Sequence, residues 1–103
     1  MRNIFDEAIK EGDGYVYRED GEEYHYNTNH QLHRENAPAI IRRINLNPSI
    51  HKEYWVSGER HRENGAAIEY ADGLKDWFYR GKHIDCQSQE QFEKIIRIKA
   101  FWE

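Results

Sequence analysis

The tetrapeptide His33-Arg34-Glu35-Asn36 returns unchanged as His61-Arg62-Glu63-Asn64, and this duplication constrains the fold more than any other feature of the chain. The match runs on, with Ala37-Pro38-Ala39-Ile40 aligned to Gly65-Ala66-Ala67-Ile68 at an offset of 28 residues. A second correspondence relates Tyr54-Trp55-Val56-Ser57-Gly58 to Trp77-Phe78-Tyr79-Arg80-Gly81, 23 residues apart, each an aromatic pair closing on a turn glycine. The longer segment Asn45-Leu46-Asn47-Pro48-Ser49 accounts for much of the difference between the two offsets. After Gly81 the third copy stops, with Ile84-Asp85 where His-Arg is expected. Repeat units cannot bury their faces singly, so such a chain needs a terminal cap.

Within the repeats the apolar pattern alternates, as in strands. Tyr15-Val16-Tyr17 and Tyr24-His25-Tyr26 flank Asp20-Gly21, and Ala67 to Tyr70 and Lys75 to Tyr79 flank Asp72-Gly73. Asp-Gly supplies the positive φ angles of a tight hairpin turn at little steric cost. A third pair, Ala39 to Ile44 and Ile50 to Val56, is joined by the loop that Pro48 keeps out of any ladder. Six strands in three hairpins result.

The two ends read as helices. Ile4, Phe5, Ala8 and Ile9 share one helical face, Asn3 can cap it and Gly12 can end it, which predicts a short helix over residues 1–12. Ser88-Gln89-Glu90-Gln91 is a capping box, and Phe92, Ile95, Ile96 and Trp102 then fall on one side, predicting a capping helix over 88–102. The 103 residues therefore form one domain, with the repeats spanning 15–85. The fold class is α+β, mainly β: an antiparallel meander of about six strands built from repeated hairpins. With 33% charged residues but seven Tyr, four Phe and three Trp, its buried layer is thin and aromatic.

Charge and cysteine content narrow the function classes. Residues 1–23 carry eight acids against three bases, and the net charge is -4, so the basic excess of a duplex-binding protein is missing. The single Cys86 has no partner for a disulfide or a zinc pair and reads as a structural cysteine, consistent with a reducing, cytoplasmic setting. No stretch approaches the roughly 20 apolar residues of a membrane span, so no membrane association is expected.

An aromatic pair, a turn glycine, His-Arg-Glu-Asn-Gly-(Pro)-Ala-Ile, then Asp-Gly and a second aromatic pair resembles the MORN-like repeats of small proteins from large tailed bacteriophages, over about residues 20–85. The resemblance implies stacked β-hairpins used mainly for protein or lipid contact. Three positions depart from it: Ala37 where the second copy has Gly65, Asn29-His30 where Ser57-Gly58 stands, and Ala66 in place of a proline. A non-glycine residue resists positive φ, so the first copy is expected to be splayed.

The candidate binding residues are Arg34, Arg60, Arg62, Tyr54, Trp55, Trp77, His33 and His61. Arginine beside aromatic rings suits a nucleotide-like ligand held by stacking and guanidinium–phosphate bonds, and equally a protein hot spot. The repeated histidines are expected to satisfy turn backbone and pair charges between rungs, because a duplicated site supplies two similar environments where acid–base catalysis needs two different ones. His30 and His33 are the only close histidine pair, with no Cys or clustered acid beside them, so no metal and no cofactor is expected. The chain thus reads as a non-catalytic binding protein, an expected homo-oligomer. The viral resemblance implies a host defence protein or nucleotide signal as its target. A structural scaffold is the alternative, and a His-dependent phosphodiesterase the third reading.

Overall fold

A computed structural model describes residues 8–44 and 49–99. Ten strands precede one helix: β1 (Ile9–Glu11), β2 (Gly14–Glu19), β3 (Glu22–Tyr26), β4 (Ile40–Ile44), β5 (Ser49–Glu53), β6 (Trp55–Val56), β7 (Glu59–Arg60), β8 (Ile68–Glu69), β9 (Lys75–Tyr79), β10 (Lys82–Ile84) and α1 (Gln89–Lys99). Eight of them make an antiparallel meander in the order β1-β2-β3-β4-β5-β8-β9-β10, and β6-β7 is a hairpin standing off the sheet. The three expected hairpins are β2-β3, β4-β5 and β8-β9.

The strand count rises from six to ten for identifiable reasons. At Tyr54 the long strand expected from Ile50 to Val56 breaks, so that β6 leaves the sheet and folds back as β7. The aromatic pair before Gly81 likewise continues through a turn into β10. Both hairpins use two-residue turns with positive φ at each central residue, Ser57 and Gly58 (49° and 82°) and Arg80 and Gly81 (49° and 83°), as the strand twist favours. The N-terminal helix is corrected in part: Ile9–Glu11 is a strand paired with β2, and Ile9 is exposed, not docked. Residues 1–7 of that expectation lie outside the described residues.

The first copy is longer rather than splayed. His33 N bonds the His25 carbonyl, whereas His61 N bonds that of Tyr54, so the first loop holds one more residue. Thr28, Asn29 and His30 form a three-residue turn in which His30 takes φ 63°. The Asn27 side chain secures it by accepting from the Asn29 and Gln31 amides at 2.9 and 3.0 Å.

The strand registers set two side-chain rows on opposite faces. One face carries Tyr17, Tyr24, Ile40, Glu53, Ile68 and Asp76 as direct cross-strand neighbours. One step along the same registers lie Ile9, Val16, His25, Ala39, Tyr54, Ala67, Trp77 and Ile84 on the other face. In this second row alanines with no exposure, Ala39 and Ala67, separate the rings of His25, Tyr54 and Trp77.

Helix α1 closes the row. Ser88 caps it through its hydroxyl, accepting from Gln91 N at 3.2 Å, while the Gln91 side chain accepts from Gln87 N at 2.8 Å. Phe92 is fully buried against Ala66, Trp77 and Ile84, with Tyr79, Ile95 and Ile96 packed around them. Phe92→Ala should therefore cost about 3–5 kcal/mol, the usual penalty for emptying an aromatic core position. Urea denaturation monitored by far-UV circular dichroism checks this.

Candidate functional site

The repeated tetrapeptides form two matched loops on the face covered at one end by α1. In each, the imidazole Nδ1 accepts a hydrogen bond from the amide opening the next unit's turn: Ser57 N to His33 and Arg80 N to His61, both 2.9 Å. In each, the guanidinium Nη1 donates to a carbonyl four residues on, Arg34 to Pro38 at 3.2 Å and Arg62 to Ala66 at 3.1 Å. The backbone docks the same way, with Arg34 N on the Trp55 carbonyl and Arg62 N on that of Phe78. The expectation that these residues satisfy turn backbone describes their geometry.

The two arginines are then used differently. Arg62 lies over the Tyr54 ring, 3.7 Å from its centroid, with Glu69 at 3.7 Å. Gly65 makes this possible, since a Cβ there would come within 2.6 Å of the Arg62 Cζ. Ala37 fills the corresponding place in the first copy, and Arg34 sits 3.5 Å from Glu23. Glu23 is also bonded by His25 at 2.6 Å and by Arg18 at 2.8 Å, and these bonds, His25 first, hold its carboxyl below the usual range.

Between the loops is an open niche of about 460 Å³, floored by Tyr54 and Val56 and walled by Arg34-Glu35-Asn36 on one side and His61 to Asn64 on the other. Its outermost groups are acidic, with the side chains of Glu35 and Glu63 80% and 66% exposed. A second hollow of about 420 Å³ lies on the far side of the first loop, over His25, His33 and Arg34, with Glu11 and Asp13 opposite.

The eight candidate residues are thus divided. Arg34, Arg62, Tyr54 and His61 line the niche, and His33 lines the second hollow. Arg60 and Trp55 lie on the opposite face, where the guanidinium is 4.8 Å from the Trp55 ring and 5.4 Å from that of Phe78. Trp77 is buried beneath α1 and donates to the Gln89 side chain at 2.9 Å.

Sequence reasoning passed over a densely bonded, buried carboxylate. Glu53, 7% exposed between Ile40 and Ile68, meets His51 at 2.7 Å and accepts from Trp55 Nε1 at 3.0 Å and Arg60 Nε at 3.1 Å. Burial pushes its pKa up, but the bonds from His51, Trp55 and Arg60 outweigh that and leave it below the ordinary value. A signal was present: His51-x-Glu53 and Glu23-x-His25 are period-two pairs, and residues two apart in a strand share a face.

Among the described residues no group of three or more His, Cys, Asp or Glu is placed to hold a metal, and no helix is long and apolar enough to cross a membrane. Cys86 is half-buried, and burial pushes its thiol pKa up. No known protein family, curated protein or solved structure matches this chain.

Because Glu53 titrates lower folded than unfolded, its contribution is complete above the unfolded carboxylate range and is lost as pH falls through the folded value. Glu53→Gln should cost about 2–3 kcal/mol at neutral pH, the scale of hydrogen bonds to a buried charge. It should also flatten the loss of stability as the pH falls below about 5. Urea midpoints across that range, compared with the parent chain, check both effects.

Proposed function

We propose that this chain is a non-catalytic binding module that engages a protein partner in the niche between its two tetrapeptide loops. The supporting observation is the state of its rings and charges. Tyr54 and Trp55, the platforms a nucleobase would stack on, each carry a guanidinium of the same chain, at 3.7 and 4.8 Å. A phosphate would meet the exposed carboxylates of Glu35 and Glu63 at the rim. Both features favour a protein surface over a nucleotide-like ligand.

The rest of the niche suits such a surface. Val56 offers an exposed apolar contact beside the rings, and the acids around it match a partner bearing lysine or arginine. The imidazoles are turned to other work, since each Nδ1 is occupied by a backbone amide, which favours binding over histidine chemistry. The resemblance to phage repeat proteins adds a host cytoplasmic protein as the partner class. Edge strands β1 and β10 offer self-association as an accompanying property.

The test is native mass spectrometry of the chain purified gently from a host lysate, run beside Val56→Arg and Leu74→Arg. Val56 lines the niche, whereas Leu74, also exposed, is absent from its lining. Retention should fall about thirty-fold in Val56→Arg, the scale of a hot-spot loss near 2 kcal/mol, and persist in Leu74→Arg. Equal retention by both variants, or a small anionic ligand released on denaturation, would overturn the reading.

A further inference from the structure

The repeat allows the open niche to be compared with its successor in the same molecule. The correspondence that relates Tyr54-Trp55-Val56 to Trp77-Phe78-Tyr79 places Trp77 and Tyr79 where the niche has Tyr54 and Val56. The wall changes likewise, from the first loop to the second, so that Glu63 stands where the niche has Glu35. In this second setting the N-terminal turn of α1 is seated. Gln89, its first residue, donates from Nε2 to the Glu63 carbonyl at 2.9 Å and accepts from Trp77 Nε1 at 2.9 Å. Phe92, three residues on, is buried against Trp77, with Tyr79 packed alongside.

The niche has a corresponding carbonyl, at Glu35, and a corresponding floor position, at Val56, without the helix. Val56 is 36% exposed, whereas Tyr79, its counterpart, is partly buried against the core that α1 closes. Among the described residues no donor is bonded to the Glu35 carbonyl, the counterpart of the acceptor that Gln89 uses. One difference is chemical: Arg62 already lies on Tyr54, so an apolar side chain entering here meets Val56 and the outer face of that guanidinium. The exposed carboxylates of Glu35 and Glu63 complement the partial positive charge of a helix N-terminus.

From this we infer that the niche accepts the N-terminal turn of an amphipathic helix from a partner protein, with a side-chain amide at its start and a large apolar residue three positions later. The inference rests on the binding-module reading and gives its partner a shape. The chain's own α1 is the template for the occupant, and a chain that has α1 docked on Trp77 still presents the niche.

The probe is a synthetic peptide of residues 87–99, stapled by a lactam between the exposed Glu90 and Lys94 side chains, which pair at 3.4 Å. The staple offsets the marginal helicity of so short a segment. Titrated into the full chain by calorimetry, it should bind, and Val56→Arg in the protein or Phe92→Ala in the peptide should each weaken it at least tenfold. Fluorotryptophan NMR of the protein should show the Trp77 resonance unmoved. Absence of binding at millimolar peptide overturns the inference, as does binding that ignores Val56→Arg and shifts Trp77, which reports exchange with the chain's own helix. If the peptide fails while a natural partner is still lost on Val56→Arg, the niche remains a protein site and only the helical occupant falls. If both fail, the binding-module reading falls with it.

Discussion

The hydrogen bond from a turn amide to the imidazole of the preceding unit is the constraint on which the repeat depends. A two-residue hairpin turn exposes a backbone donor, and His33 and His61 each satisfy the donor of the hairpin that follows. Because Nδ1 accepts, a neutral ring carries its proton on Nε2, which points toward Glu35 or Glu63 at 4.0 and 3.8 Å. The bond fixes the tautomer and the position of one unit on the next. It also fits the end of the repeat: Ile84 stands where the third histidine belongs, and among the described residues no further hairpin follows it. An apolar residue fits that place, and Ile84 is buried with Trp77 and Phe92.

The arginines follow the same economy. A guanidinium over an aromatic ring is worth about 0.5–2 kcal/mol, and a hydrogen bond to a carbonyl fixes its plane. Arg62 has both on Tyr54 and Ala66, and Arg60 has Glu53 with two rings. A composition of Arg, Tyr and Trp that reads as a ligand platform is here largely the means by which a thin sheet covers its own faces. Glu53 belongs to that scheme. Flanked by Ile40 and Ile68 in the row, it anchors the hairpin that leaves the sheet, through Trp55 on one strand and Arg60 on the other.

What was legible in the sequence is what repeats or alternates. The tetrapeptide duplication, the turn glycines and the apolar stripe from Phe92 to Ile96 led to the meander and its capping helix. At Ile9–Glu11 pairing with β2 overrides the helical period that the sequence shows there. Sharing of a face by Arg and aromatic residues was beyond reach, because it depends on where the strand breaks at Tyr54. Tyr54 and Trp55, as sequence neighbours, face opposite ways with different arginines, and the break is what folds Arg60 back beside Trp55. The extra residue of the first loop was equally hidden, since His30 takes a positive φ that composition assigns to glycine.

The spacing of the loops follows from the sheet beneath them. The two tetrapeptides are separated by β4 and β5, and two strands span about 10 Å at the usual inter-strand distance. A single-strand spacing would bring the loops into contact and close the gap, and a wider one would leave them without a shared floor. The hairpin unit therefore repeats its loops every two strands, and the niche lies between two successive loops. Next to it α1 covers the corresponding setting, where Phe92 is buried against Trp77. The niche itself is left open, lined by Arg34 and Arg62, which are paired with Glu23 and Glu69, and by the exposed carboxylates of Glu35 and Glu63.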